Sequence, residues 1–241
     1  MRTVAIIQAR LGSTRLPGKV LSDIAGRSMI ARVIERADRI HGIGEVVVAI
    51  PDLAADDRLA NAVTRLDRRV VRGPADDVLA RYVLAMERAG AEAIVRITAD
   101  CPVLSPSISS AVVAAFVSDP VDYASNTLKR TYPRGLDTEV FRAESLRQAA
   151  DEATTPAERE HVTPFIWRRP ERFRLRSVQA GIDRSSMRWT VDTEEDLALI
   201  RTIYAELGKD DFDTDEILAL IAMRPDLAAI NAGIAQKGIF S

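Results

Sequence analysis

Cysteine occurs once in this 241-residue chain, at Cys101, so no intrachain disulfide can form and no cysteine cluster offers zinc spacing. Histidine is nearly as scarce, with only His41 and His161. No apolar stretch approaches the roughly 20 residues needed to span a bilayer. The apolar start at Thr3 is cut off by Arg10, too soon for the core and cleavage site of a secretory signal. Positive charge is not in surplus either: 33 Lys and Arg stand against 35 Asp and Glu, a net charge of −2. That balance argues against the sequence-independent phosphate binding of a nucleic-acid-binding domain. These absences predict a protein of the reducing cytoplasm with no membrane or nucleic-acid partner. Its 47% hydrophobic residues suffice for a substantial core.

What is present is an alternation. Residues 3–9 (TVAIIQA) form a nearly continuous apolar run, as in a strand buried on both faces of a parallel sheet. Helical spacing of Met29, Ile30, Val33, Ile34 and Ala37 predicts a helix over 29–40, and EVVVAI at 45–50 a second buried strand. Helices over 57–66 and 75–88 and from Pro106 onward alternate with strands at 69–72 and 93–98. The pattern predicts an α/β fold with a mostly parallel central sheet, helices on both faces and right-handed crossovers. From Asp122 the rhythm changes: a strand at 138–141 stands among helices at 144–152 and 157–168. The segment of about 122–180 therefore reads as a substrate-side insertion. A strand at 187–191 (MRWTV) and a helix capped by Thr193, with Asp196 at the capping-box position, restore the order. The tail from about 208 to 241 carries a helix at 215–223, and with no repeat or linker the expectation is one domain over 1–241.

Ligands of open α/β sheets bind beyond the carboxyl ends of the strands, so strand ends are where chemistry is sought. The loop from Gln8 to Lys19 combines Gly12 and Gly18, Ser13 and Thr14, and the cations Arg10, Arg15 and Lys19. Amides freed by glycine approach phosphates closely while the cations neutralise them. The spacing matches neither G-x-x-x-x-G-K-[ST] nor G-x-G-x-x-G, and composition alone leaves a solvated basic turn as the alternative. Asp100 closes the strand at 93–98, and Asp192 follows 187–191. Either could be a turn residue; together at one sheet edge, two carboxylates suit Mg²⁺, which takes hard oxygen ligands and shares its coordination with substrate phosphates. Cys101 has no histidine nearby in sequence and reads as a buried, inert thiol. Arg168, Arg169, Arg172, Arg174 and Arg176, interleaved with Pro170 and Glu171, read as a solvated or oligomer face.

Five segments carry a resemblance: the loop ending Arg15-Leu-Pro-Gly-Lys19, ITADCP at 97–102, YPRGLDTEVF at 132–141, Glu160-His161-Val-Thr-Pro164, and WTVDTEEDL at 189–197. Together they resemble the spore-coat polysaccharide cytidylyltransferase-like family, related to the CMP-Kdo and CMP-sialic (acylneuraminate) synthetases. The resemblance implies a nucleotide-diphospho-sugar transferase fold, CTP as donor, Mg²⁺ as cofactor and a small-molecule acceptor. A homodimer is expected with it. It implies that Gln8, Ala9, Arg10, Gly12, Ser13 and Ala99 border the nucleotide, that Arg15 and Lys19 act on the triphosphate, and that Asp100 and Asp192 hold the metal. Arg72 and Asp77 fall in a segment that would border the base. The acceptor would lie near Arg134, Asp137, Glu139 and His161, where Arg134 suits a carboxylate, phosphate or phosphonate. A glycosyltransferase consuming a nucleotide sugar and a non-catalytic nucleotide-binding protein are the rival readings. Cys101 and Pro102 after Asp100 depart from the Asp-x-Asp segment such glycosyltransferases use.

Overall fold

A computed structural model of the chain describes residues 1–235. The first strand, β1 (Thr3–Gln8), is buried on both faces, with Val4 and Ile6 in one core cluster and Ala5 and Ile7 in another. After the polar loop comes a hairpin of β2 (Asp23–Ile24) and β3 (Arg27–Ser28), followed by α1 (Met29–Ala37). The first half is completed by β4 (Glu45–Pro51), α2 (Asp57–Arg65), β5 (Arg69–Gly73), α3 (Val78–Ala89), β6 (Ala93–Thr98) and α4 (Pro106–Ser118). β1 pairs in parallel with β4 and β6, and β5 adds beyond β4. Central parallel strands have no solvent face, which is why they read as unbroken apolar runs. Ile34, Leu59 and Val112 seat α1, α2 and α4 on one face, while Leu79, Tyr82 and Met86 seat α3 on the other.

The second half joins the same sheet. β7 (Tyr123–Ser125), β8 (Glu139–Arg142) and β9 (Leu175–Ser177) extend it past β6 in the order β5-β4-β1-β6-β8-β7-β9, with only β8 running against its neighbours. α5 (Ala143–Glu152), α6 (Pro156–His161) and α7 (Pro164–Trp167) pack through Leu146, Val162 and Phe165 on the face that carries α3. Residues 122–180 thus supply three strands to the sheet. The single helix expected over 157–168 is two, because Val162 turns the chain at φ 70° and Pro164 begins the second with no N–H to offer the first. α8 (Glu194–Leu207), α9 (Thr214–Met223) and α10 (Pro225–Ala229) form a third cluster with Trp189 and Val191.

The strand expected at 187–191 is not one. The segment is extended and buried from Arg188 to Val191, but its ladder is a single bridge, Arg188 with Arg134. Its backbone partners come from loops: Trp189 N–H donates to Arg134 C=O at 2.7 Å, and Val191 N–H to Asp100 C=O at 2.8 Å. Two-sided burial by loops and α8 produces the same apolar run as burial between strands. The crossing is tight at Gly135, which has φ +99°; a Cβ there would lie 2.6 Å from Thr190 N. Only glycine combines that backbone region with that approach.

Gly135→Ala should therefore cost at least about 2 kcal/mol, lowering the melting temperature by roughly 4–8 °C for a chain of this size. Thermal denaturation followed by circular dichroism checks this; a melting temperature within 1 °C or so of the parent's would show that the crossing relaxes without strain.

Candidate active site

A cavity of about 470 Å³ opens at the carboxyl ends of β1 and β6. Gln8 and Thr98 are register partners at these two strand ends, and both line it. The loop after β1 forms its polar wall. Gly18 N–H donates to Leu11 C=O at 3.0 Å, closing the loop on itself, and Asp56 Oδ1 accepts from Leu11 N–H at 2.6 Å. Gly18, at φ +72°, makes the turn into Lys19, so its amide serves the loop and not a ligand. The amides of Gly12, Thr14 and Arg15 stay outside this network while their residues line the cavity. Gly12 has nothing within 4 Å of where a Cβ would stand, leaving open space over the loop. Such a concave run of amides with cations is an anion-binding arrangement.

Lys19 is the convergence point. Its Nζ, on a residue only 8% exposed, donates to Val191 C=O at 2.6 Å and Asp192 Oδ1 at 2.8 Å, and lies 3.4 Å from Asp100 Oδ2. Arg15 Nη2 and Arg188 Nη2 each reach Asp192 Oδ2 at 2.9 Å. Burial works to raise the Asp192 carboxyl, but Lys19, Arg188 and Arg15 outweigh it and hold it below the ordinary carboxylate value. Arg188 also grips Asp196 through Nε and Nη2, both at 2.9 Å. Asp196 fills its capping-box role with Thr193 at the start of α8. Burial acts to raise its carboxyl too, and Arg188, Asn231 and the Asp192 N–H bring it below its ordinary value.

Asp100 and Asp192 therefore meet, as the metal reading requires, although residues 187–191 are not a strand. Among the described residues no third His, Cys, Asp or Glu joins them, so this is no closed protein cage. Two carboxylates beside a loop of this anion-binding geometry fit Mg²⁺, which draws its remaining oxygens from phosphates and water. Gln8, Ala9, Arg10, Gly12, Ser13, Ala99 and His161 all line the cavity. Arg10 is exposed and makes no side-chain bond among the described residues, leaving its charge available.

Several expected residues lie elsewhere. Arg72 spends its guanidinium on Asp57 at 2.6 Å, Leu53 C=O at 2.6 Å and Asp52 at 3.1 Å, away from the cavity. Asp77 caps α3, accepting from Ala80 N–H at 2.9 Å, and its other oxygen holds Arg159. Glu139 is buried in β8 opposite Arg96, which it pairs with, and accepts from Tyr123 Oη at 2.6 Å and Thr163 Oγ1 at 2.5 Å. It is a core ion-pair hub. Asp137 is held by both terminal nitrogens of Arg130 at 2.5 and 2.7 Å. Arg134 is also outside the cavity lining, but it takes no acid partner among the described residues. Cys101 is buried, and burial followed by the Asp100 charge pushes its thiol well above the usual range, so it is no nucleophile. Of the arginines after α7, Arg169 pairs with Glu158, Arg172 with Glu152, Arg174 with Asp122 and Arg176 with Asp119.

Residues missed by sequence reasoning are Arg188, Arg81, Val78, Thr98 and Glu160, the last four lining the cavity. Two left signals. Arg81 stands three positions after Val78 on the buried stripe of α3, and Arg188 interrupts an apolar run four residues before Asp192.

The sequence pattern of a family described as Cytidylyltransferase matches residues 4–217. The spore coat polysaccharide biosynthesis protein SpsF of Bacillus subtilis is 32% identical over 231 residues, 92% of this chain and 95% of that protein. A cytidylyltransferase from Leptospira borgpetersenii superposes with a TM-score of 0.92 at 28% identity, over 99% of this chain and 100% of that one. A CMP:2-keto-3-deoxy-manno-octonic acid synthetase solved with CTP shares the fold, with a TM-score of 0.67 at 22% identity over 86% and 99% of the two chains. The seven-stranded sheet is thus that of the nucleotide-diphospho-sugar transferase fold.

Asp192 is clamped by three cations, so its charge also stabilises the fold. Asp192→Asn should cost about 1–3 kcal/mol at neutral pH, while Asp100→Asn, whose carboxylate is more exposed, should cost far less. Because the folded value of Asp192 is depressed, its contribution is present above the unfolded value of about 3.9 and is lost as pH falls through the folded value. Urea denaturation of parent and variant at pH 7 and at progressively lower pH should show the gap closing on the acid side; a gap independent of pH would mean the clamp is not electrostatic.

Proposed function

The chain belongs to the cytidylyltransferase family, and from that premise we propose that it joins CMP from CTP to a small anionic acceptor, with Mg²⁺ as cofactor and pyrophosphate as leaving group. The observation that carries the reading is the meeting of Asp100, Asp192 and Lys19 at one edge of the cavity walled by the Arg10–Lys19 loop. An acceptor oxygen attacks the α-phosphorus, the bond to the bridging oxygen of the β-phosphate breaks, and pyrophosphate departs. Such a displacement asks little covalent work of side chains; it needs in-line positioning and stabilisation of charge on the phosphoryl oxygens.

Arg10, with no acid partner among the described residues, is a cation available to the triphosphate, and the Gly12, Thr14 and Arg15 amides supply uncharged donors beside it. Lys19 stands differently. Its three N–H positions face Val191 C=O, Asp192 and Asp100, so it reaches a phosphate oxygen only by releasing one of them. Asp100 and Asp192 would hold Mg²⁺, which when bound shields the phosphate charge from these carboxylates.

The acceptor side is read from charge. Burial, then the charge of Arg130, lowers the Arg134 guanidinium against the opposing charge of Asp137, and Arg134 bridges through its backbone to the segment that carries Asp192. A partly buried cation with no ion-pair partner among the described residues favours an anionic acceptor, such as a 2-keto sugar acid, a sugar or polyol phosphate, or a phosphonate. The likeness to a polysaccharide biosynthesis protein supports a role in surface polysaccharide or glycoconjugate precursors. Among the described residues no helix is long and apolar enough to cross a membrane.

Three measurements test this. Incubating CTP or ATP with a panel of those acceptors and Mg²⁺ should give pyrophosphate and a CMP-linked product by mass from CTP; equal release from ATP would sink the donor assignment. Asp100→Asn and Asp192→Asn should each lower turnover at least about 10²-fold, roughly 2.7 kcal/mol of barrier. Arg134→Ala should raise the acceptor KM with little change for CTP, and unchanged acceptor kinetics would remove Arg134 from the site.

A further inference from the structure

One side chain of the C-terminal segment makes buried polar contacts that the reading above does not use. Asn231, just past α10 and only 6% exposed, donates from Nδ2 to Asp196 Oδ1 at 2.8 Å and to Arg188 C=O at 3.0 Å. Both partners bear on Asp192: Arg188 Nη2 holds its Oδ2 at 2.9 Å, and Asp196 Oδ2 accepts its backbone N–H at 2.9 Å. Asp196 has no solvent exposure, so its charge depends wholly on protein donors. Among the described residues Oδ2 has Arg188 Nη2 and the N–H groups of Asp192 and Thr193, and Oδ1 has Arg188 Nε and Asn231. Losing Asn231 removes one of the donors that compensate this buried charge and a bond that ties the Arg188 backbone to the C-terminal segment. A buried amide is costly unless bonded, and the Nδ2 of Asn231 spends its bonds on this pair.

We propose that Asn231 is a positioning residue for Asp192: by bonding both Asp196 and the Arg188 backbone, the C-terminal segment steadies the pair that holds Asp192, the carboxylate that would take the cation. The tail, outside the cavity itself, becomes part of the cation site's support. This rests on the Mg²⁺ reading given above for Asp100 and Asp192.

The test is Asn231→Leu in the full chain, which keeps the volume and removes both donors. Mn²⁺ binding with CTP present, followed by electron paramagnetic resonance, should weaken about 10-fold, as supports of metal ligands commonly do. The Mg²⁺ concentration for half-maximal product formation should rise by a similar factor, with KM for CTP at saturating Mg²⁺ nearly unchanged. Wild-type Mn²⁺ affinity in folded Asn231→Leu, even with a lowered melting temperature, would overturn the proposal and leave Asn231 a packing residue. Should Asn231→Leu fail to fold, Asn231→Ala carries the same readouts. A parent protein that binds no Mn²⁺ with CTP overturns the Mg²⁺ reading and this inference with it, whereas a parent that binds and variants that match it overturn the inference alone.

Discussion

One buried ammonium ties the two halves of the chain together at the site. Lys19, delivered by the loop after the first strand, bonds Val191 C=O and Asp192 and approaches Asp100, so three segments distant in sequence share a single cation. An uncompensated charge at that depth would be costly, and carboxylates brought together without a cation would repel. Each group therefore makes the other's position tolerable. The Val191 N–H to Asp100 C=O bond sets the same segments side by side through the backbone.

Around that point the polar groups divide by task. Arg15, Arg188 and Lys19 are committed to Asp192, Arg188 is further committed to Asp196, and Arg10 is left uncommitted on the exposed lip of the loop. A site built this way has its carboxylates oriented before a ligand arrives, which is where positioning catalysis draws its advantage. The glycines divide similarly: Gly18 closes the loop, Gly12 keeps space open above it, and Gly135 lets the 134–136 backbone pass beneath Trp189 and Thr190.

The second half shows how burial can mislead a reading by pattern. Glu139 sits in a motif that looks like an acceptor site, yet β8 aligns it with Arg96 on β6, and Tyr123 and Thr163 complete its hydrogen bonds inside the core. Asp77 and Arg72 are likewise spent on a helix cap and on neighbouring acids. Motif spacing reports which residues recur together, but not whether their polar atoms are already satisfied by protein partners.

The α/β alternation, the parallel strands β1, β4, β5 and β6 and the helix cap at Thr193 are legible in the sequence, because these depend on periodicity and local bonding within a few residues. The sequence also marked the Gln8–Lys19 loop, Asp100 and Asp192, since chemistry in this architecture gathers at strand ends. Only the tertiary structure decided that 122–180 belongs to the sheet, that 187–191 is held by loops, that Arg188 and Asn231 brace Asp192, and that Glu139, Asp77 and Arg72 are structural. Those outcomes depend on which long-range partner reaches each buried polar atom first, and a buried charge accepts whichever arrangement leaves it fully bonded.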